Sequence, residues 1–231
     1  MSDRIILGIP GKWPSKREII SFLAADGDRN YQIVGERLIE TATNESCSIY
    51  FSDRGKQKIN GEKSYCDYQQ IVYLSDFDCN YKTCLKIARF AKIFLDIGGL
   101  AVRVESAGIW RDRTYWLARY NSADVFDIYS LFVVLIEGKD RFYSCGMNHF
   151  GKADVSVDNT EETSLAIYVM NVFNYYRLTE FPILKDGQTF QPDLESPMYE
   201  IRWTQSDEMV ENIHGCWHLS RIGNESNLAM V

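Results

Sequence analysis

The chain has 231 residues, of which 45% are hydrophobic, with only 5 prolines and 15 glycines, a composition that excludes a disordered or low-complexity protein. Its 32 Asp and Glu residues exceed its 25 Lys and Arg residues, and the formal net charge of -7 disfavours binding to phosphate backbones and anionic membranes. No apolar run approaches the roughly 18 residues that a membrane-spanning helix needs, and the N-terminal residues lack the apolar segment of a signal peptide. We therefore expect a folded cytoplasmic protein that binds neither nucleic acid nor membranes, with its cysteines as reduced thiols.

The first half of the chain predicts the element order β-α-β-β followed by β-α-β. A short apolar strand precedes a helix whose first turn holds Ser15 and Glu18, a pairing typical of a capping box. The strongest amphipathic helix covers 81–97, where apolar residues recur at helical spacing until Gly98 and Gly99 end it. The predicted strands of this half are 5–9, 32–40, 47–51, 70–74 and 100–105.

The second half predicts two short helical pieces, a hairpin closed by a Gly-Lys-Asp turn, a second long helix and two further strands. The predicted helical segments are 112–120, 123–130 and 161–177, and the predicted strands are 131–137, 141–145, 189–191 and 199–203.

This order mixes hairpins with helices, unlike the strict alternation of a parallel doubly wound sheet. It predicts an α+β fold in which a mainly antiparallel mixed sheet packs with two long helices. Because no linker interrupts the pattern, we expect one compact domain over 1–222, with a soft division near residue 155, and a flexible tail at 223–231.

Cys145, His149 and Asp154 lie within one short segment and supply the side chains of a Cys–His–Asp nucleophilic set. Such a set needs a thiol hydrogen-bonded to the imidazole and an acid that orients the imidazole. Local proximity does not ensure this geometry, and a hairpin strand that turns through glycines contains the same residues. Glu105, which ends a predicted strand, is a further candidate. The alternative prediction is therefore an enzyme of unknown reaction with a site around Glu105, Cys145 and His149.

His214, Cys216 and His218 are spaced two apart, so in a strand they would share one face. Imidazole and thiolate are good ligands for zinc or copper. A flat strand seldom places three ligands on one ion, however, and no CxxC or HExxH motif supplies a fourth. We expect no bound metal and, because nucleotide- and calcium-binding motifs are also absent from the sequence, no cofactor.

Four segments of the chain share a pattern with one bacterial family. They are 6–11 with Trp13, 98–108, 143–151 and 184–190, and together they resemble the family known as domain of unknown function 4261. The resemblance implies the fold of that family but no reaction, since the family has no established chemistry. Some proteins of this kind occur beside secreted polymorphic toxins, which implies an immunity protein that binds and neutralises a cognate toxin.

The missing reaction motif, the acidic charge and the 14 tyrosines and 5 tryptophans favour a binding protein. We predict an immunity protein that occludes a basic cognate toxin without catalysis, because an acidic surface speeds encounter with a basic partner and aromatic side chains anchor interfaces. The predicted contact residues are those expected at the surface: Asp53, Glu62, Asp67, Trp110, Asp112, Tyr115 and Trp116.

Overall fold

The structure, a computed structural model, describes residues 4–25, 31–53, 68–122, 124–205 and 214–223. The chain forms two compact units, Met1–Phe132 and Val133–Val231. Within the described residues each unit contains its own sheet, seven-stranded in the first and six-stranded in the second. No helix in this part of the chain is long and apolar enough to cross a membrane. The predicted α+β class is confirmed.

The first unit has an antiparallel sheet with the strand order 2-3-4-5-1-6-7. Its strands are β1 (Ile5–Gly11), β2 (Tyr31–Val34), β3 (Arg37–Glu40), β4 (Ser46–Asp53), β5 (Gln70–Asp76), β6 (Ala101–Val104) and β7 (Ile109–Asp112). Its helices in the described residues are α1 (Lys16–Ala25), α2 (Tyr81–Asp96), α3 (Arg113–Ser122) and α4 (Val125–Phe132).

Helix α2 covers one face of this sheet. Asn80 begins the helix, because its side-chain oxygen accepts a hydrogen bond from Thr83 N at 2.9 Å. Apolar side chains of the helix and of alternate strand residues are fully buried and form the core of the unit: Leu7, Ile9, Val72, Leu74, Ile87, Phe90 and Phe94. Since successive side chains of a strand point to opposite faces, Gly8 belongs to the other face of the sheet.

The other helices of this unit pack on the side of α2. Ser15 begins α1 as predicted, since its hydroxyl oxygen accepts a hydrogen bond from Glu18 N at 3.3 Å. Helix α3 contacts α2 through Trp116, whose Nε1 donates to Ala88 O at 3.3 Å, and α4 packs on α2 and α3. In the described part of the unit, the opposite face of the sheet is left without a helix.

The second unit has a sheet with the strand order 11-12-13-10-9-8. Its strands are β8 (Val134–Glu137), β9 (Arg141–Cys145), β10 (Asp154–Asp158), β11 (Thr189–Phe190), β12 (Tyr199–Thr204) and β13 (Cys216–Arg221), and its helix is α5 (Thr163–Thr179). Only the pair β10–β13 is parallel within the described residues. One face of the sheet packs on α5 through an apolar cluster that includes Phe142, Val155, Val157, Val169, Phe173, Ile201 and Leu219.

The division of the chain differs from the prediction. It lies at Phe132–Val133 and not near residue 155, so two units replace the predicted single domain over 1–222. Hairpin β8–β9 decides the boundary, because β9 pairs with β10 and thereby joins the second sheet. Leu131 and Phe132, predicted to begin a strand, end α4 instead, since a short apolar run fits a buried helix as well as a strand. The predicted tail lies outside the described residues apart from Gly223.

Candidate functional site

One row of residues crosses the sheet of the first unit on the face opposite α2. The register places Tyr50 opposite Tyr73, Tyr73 opposite Gly8, Gly8 opposite Arg103 and Arg103 opposite Trp110. Directly opposed residues of neighbouring strands project on the same face, so these positions line up across β4, β5, β1, β6 and β7. Four of the five positions carry an aromatic or a cationic side chain, and the central position carries none.

The carboxylate of Glu105 lies in the gap that Gly8 leaves. Glu105 follows β6 in a single 3-10 turn that Gly108 ends. A Cβ atom built on Gly8 would lie 2.8 Å from Glu105 Oε1 and 3.1 Å from Tyr73 Cε1, so the space above this glycine is already occupied by the carboxylate and the tyrosine ring. We call Tyr50, Tyr73, Glu105, Arg103 and Trp110 the transverse row.

The two charges of the transverse row are close but imperfectly paired. Arg103 Nε lies 3.4 Å from Glu105 Oε2, yet the geometry is not that of a hydrogen bond, and Nε has no hydrogen-bond partner within the described residues. Burial raises the pKa of the Glu105 carboxyl, and the nearby Arg103 lowers that pKa by less. The carboxylate is therefore desolvated without full compensation.

Aromatic rings flank this ion pair on both sides. The guanidinium carbon of Arg103 lies 5.6 Å from the ring centroid of Trp110, which is within cation–π distance. On the other side, the ring centroids of Tyr73 and Tyr50 are 6.4 Å apart, and Tyr50 is 63% exposed. Burial, followed by the charge of Glu105, raises the pKa of Tyr73. The row is thus a solvent-accessible aromatic surface with a half-buried carboxylate at its centre.

The charge on Glu105 has a consequence for stability. We expect Glu105→Gln to raise the free energy of unfolding at neutral pH by up to about 1 kcal/mol. The variant removes a desolvated negative charge, and Arg103 keeps its contact with the ring of Trp110. The folded-state pKa of Glu105 is raised, so the stability due to its protonated form is fully present below the unfolded-state pKa and is lost as pH rises through the folded-state pKa. The advantage of the variant should therefore grow from acid to neutral pH in urea denaturation.

A matched control for this measurement is Glu200→Gln. Glu200 also pairs with an arginine two residues away, since Arg202 Nη2 lies 2.9 Å from Glu200 Oε2 on the same strand. This variant should not become more stable than the parent protein. If Glu105→Gln were also no more stable than the parent at neutral pH, the view of Glu105 as an uncompensated carboxylate would be wrong.

Two of the predicted partner contacts lie on or beside the transverse row. Trp110 belongs to the row, and Asp112 ends the same strand on the same face. Asp112 also begins α3, because its Oδ1 accepts a hydrogen bond from Tyr115 N at 2.7 Å. The ring of Tyr115 is partly buried, with the guanidinium carbons of Arg111 and Arg119 each 5.1 Å from its centroid. The sequence could not show that Trp110 has aromatic neighbours from distant strands.

Trp116 was predicted at the surface, and this prediction is wrong. Its side chain is fully buried, since in α3 it points towards α2. Asp53 ends β4 opposite Gln70, and its side chain lies outside the described part of the protein. The predicted contacts Glu62 and Asp67 fall outside the described residues altogether.

The predicted Cys–His–Asp segment forms a structural turn. Burial, followed by the charge of Asp154, raises the pKa of the Cys145 thiol to about 11, so the thiolate needed for nucleophilic attack is scarce at neutral pH. The Nδ1 atom of the buried His149 lies 2.6 Å from Gly146 O. Asp154 Oδ1 accepts hydrogen bonds from Ser144 Oγ at 2.9 Å and from Met147 N at 3.1 Å, which ties the turn to β9.

Glu105 belongs to the first unit, whereas Cys145 and His149 belong to the second. Every contact described above for Glu105 lies within the first unit, and every contact described for Cys145 and His149 lies within the second. The alternative prediction of an enzyme with these three residues at its site stays a prediction, and no contact described for these residues favours it.

The three predicted metal ligands, His214, Cys216 and His218, do not share one face of a strand. Gly215 has a φ of 74°, so His214 lies in a turn before β13 and does not continue the alternation of Cys216 and His218. His218 Nδ1 lies 3.0 Å from Ser156 Oγ, and the Cys216 thiol lies 3.6 Å from the same oxygen. Among the residues that the structure describes, no group of three or more His, Cys, Asp or Glu side chains could hold a metal ion.

Two depressions in the described residues carry no comparable chemistry. One, of about 450 Å³ in the first unit, is lined in part by Lys86 and Arg89, but these cations already lie 2.6 Å from Asp76 and 3.0 Å from Glu40. The other, of about 580 Å³ in the second unit, lies between α5 and strands β11 and β12, and no acidic, basic or imidazole side chain lines it.

The chain matches no protein-family model, and neither a curated protein nor a solved structure shows significant similarity to it. The transverse row of the first unit is therefore the candidate functional site, on the strength of its own geometry.

Proposed function

We propose that this protein is a non-enzymatic binding protein, a cytoplasmic immunity protein that neutralises a basic bacterial toxin by binding and occluding it. The observation that carries the proposal is the transverse row, in which the exposed Tyr50 and the partly exposed Tyr73 and Trp110 flank a half-buried carboxylate. In the described part of the unit, this face of the sheet carries no helix. Tyrosine and tryptophan contribute strongly to protein interfaces, because they bury a large area with few rotatable bonds.

The charge of the protein supports a basic partner. A net charge of -7 accelerates encounter with a cationic surface and disfavours acidic competitors. In the unbound protein Glu105 is incompletely compensated, which costs stability. A partner that brings a positive charge to this carboxylate recovers that cost as binding energy.

The choice of partner is supported by the resemblance of four segments of the sequence to a family of which some members occur beside secreted toxins. A toxin encoded by the neighbouring gene is the first protein to test, because immunity proteins and their toxins are produced together. In this proposal the protein stays in the cytoplasm, where it meets the toxin before export or after entry from a neighbouring cell.

The test measures how two tyrosine variants bind the product of the adjacent gene, which the proposal predicts to be a basic toxin. We expect Tyr50→Ala to weaken binding by about tenfold or more, measured by isothermal titration calorimetry, and to lower the survival of cells that express the toxin. The matched control is Tyr175→Ala, which removes a 39% exposed tyrosine of the second unit and should leave both measurements unchanged. The proposal fails if the toxin does not bind the protein, or if both variants weaken binding equally.

A further inference from the structure

We propose that the transverse row is a receptor for one arginine side chain of the partner, with the guanidinium on the Glu105 carboxylate and the arginine stem along the ring of Tyr73. The inference deepens the proposed function, on which it rests for the origin of the arginine. The ligand chemistry itself follows from the groups in the row.

Glu105 has acceptor capacity that the described part of the protein does not use. An ionised carboxylate offers about four lone-pair sites, yet within the described residues no donor makes a hydrogen bond to either of its oxygens. Arg103 Nε comes within 3.4 Å of Oε2 but is not aligned to donate. A guanidinium from outside could supply two parallel N–H donors, which is the strongest arrangement for this pair of groups.

The ring of Tyr73 is placed to contact the aliphatic stem of an arginine whose guanidinium binds Glu105. Its Cε1 and Glu105 Oε1 are both within about 3 Å of one point above Gly8, so ring and carboxylate adjoin. Tyr50 extends this aromatic surface towards solvent on the next strand. Guanidinium groups stack on aromatic faces and remain charged at all relevant pH values, which favours arginine over lysine at this position.

A cation is favoured over an anion as the ligand. Arg103 could in principle attract an anion, but any group that contacts its Nε would also meet the Glu105 carboxylate 3.4 Å away. The guanidinium of Arg103 is already placed over Trp110 at 5.6 Å. The carboxylate is therefore the group in the row whose charge remains incompletely compensated, and a cationic donor compensates it more strongly than a neutral donor does.

Gly8 is a positioning residue in this proposal. Any other side chain at this point begins with a Cβ atom 2.8 Å from Glu105 Oε1, which displaces the flexible carboxylate before it affects the backbone. Gly8→Ala should consequently weaken arginine binding while the protein still folds.

The experiment uses two short peptides, acetyl-Gly-Arg-Gly-amide and the same peptide with neutral citrulline in place of arginine. Binding is followed in the full chain by ¹H–¹⁵N NMR at the indole N–H of Trp110, which the missing signal in Trp110→Phe assigns. We expect a saturable shift with the arginine peptide and at least about tenfold weaker binding of the citrulline peptide. A lysine peptide should bind more weakly than the arginine peptide.

Two variants test the role of the carboxylate. Glu105→Gln should weaken arginine binding by about tenfold or more, whereas Glu200→Gln, which alters the similar pair with Arg202, should have no effect. Affinity should also fall as pH is lowered through the raised pKa of Glu105. The inference is overturned if citrulline and arginine bind alike, if the arginine peptide gives no saturable shift, or if both variants weaken binding equally.

The two proposals can fail separately. Arginine binding at Glu105 without any affinity for the neighbouring toxin would refute the proposed function and leave the receptor site intact. Tight toxin binding that Glu105→Gln does not change would refute the receptor site and leave the immunity function standing.

Discussion

Replacement of Trp116 by alanine is expected to lower the free energy of unfolding by about 3–5 kcal/mol. Its side chain is fully buried, its ring lies edge-on to Phe132 with centroids 5.8 Å apart, and its Nε1 donates to Ala88 O. The alanine variant leaves a cavity where α2, α3 and α4 meet. It also removes the hydrogen bond by which α3 contacts α2. Urea denaturation followed by far-ultraviolet circular dichroism measures the effect without relying on tryptophan emission.

Trp110→Ala is the matched control for this prediction. The side chain of Trp110 is partly exposed and packs on Arg103, so its removal should cost less than about 1 kcal/mol while it weakens toxin binding. Trp116→Phe, which keeps most of the buried ring but loses the hydrogen bond, should fall between the two. Equal losses of stability in Trp110→Ala and Trp116→Ala would contradict the assignment of one tryptophan to the surface and the other to the core.

Asp154→Ala should destabilise the protein by about 3 kcal/mol, because it leaves the buried Ser144 hydroxyl and the Met147 N–H without their acceptor. Asp154 is 1% exposed, so water cannot readily replace the lost carboxylate oxygen. Asp154→Asn retains an acceptor oxygen of the same size and should cost about 1 kcal/mol. Thermal and urea denaturation of the two variants would measure the difference.

This pair of variants also separates a structural from a catalytic role for the segment around Cys145. A purely structural role of Asp154 predicts that the asparagine variant loses only about 1 kcal/mol of stability and keeps the toxin protection that we propose. If Asp154→Asn kept its stability but abolished protection, a role of the segment in function would follow. If the asparagine variant were as unstable as the alanine variant, the two described hydrogen bonds would not explain the stability of the turn.

Local patterns determined the helices and several strands of this protein. The spacing of apolar residues predicted α2 and α5, and the pair Ser15 and Glu18 predicted the start of α1, because these signals involve residues within one or two turns of each other. The Gly-Lys-Asp turn likewise predicted hairpin β8–β9. The strands β7 and β10 were missed, since each is short and mixes charged with apolar residues, so that tertiary burial outweighs the weak local signal.

The partition of the strands between sheets was decided only by tertiary structure. Hairpin β8–β9 carries no sign in its own residues of whether it joins the strands before it or after it. Pairing with β10 places it in the second unit, and the apolar cluster with α5 stabilises that choice. The sequence therefore could not indicate the division of the chain into two compact units at Phe132–Val133.

The sequence by itself determined the class of fold, the acidic charge and the abundance of aromatic residues that favour a basic partner. It also singled out Trp110 and Glu105, although for separate reasons. Only the tertiary structure placed them together, because the register of five strands brings positions 8, 50, 73, 103 and 110 into one row. Gly8 carries no chemistry in the sequence, yet its missing side chain makes the space in which Glu105 lies. Such a space depends on residues far apart in the chain, and a local pattern cannot encode it.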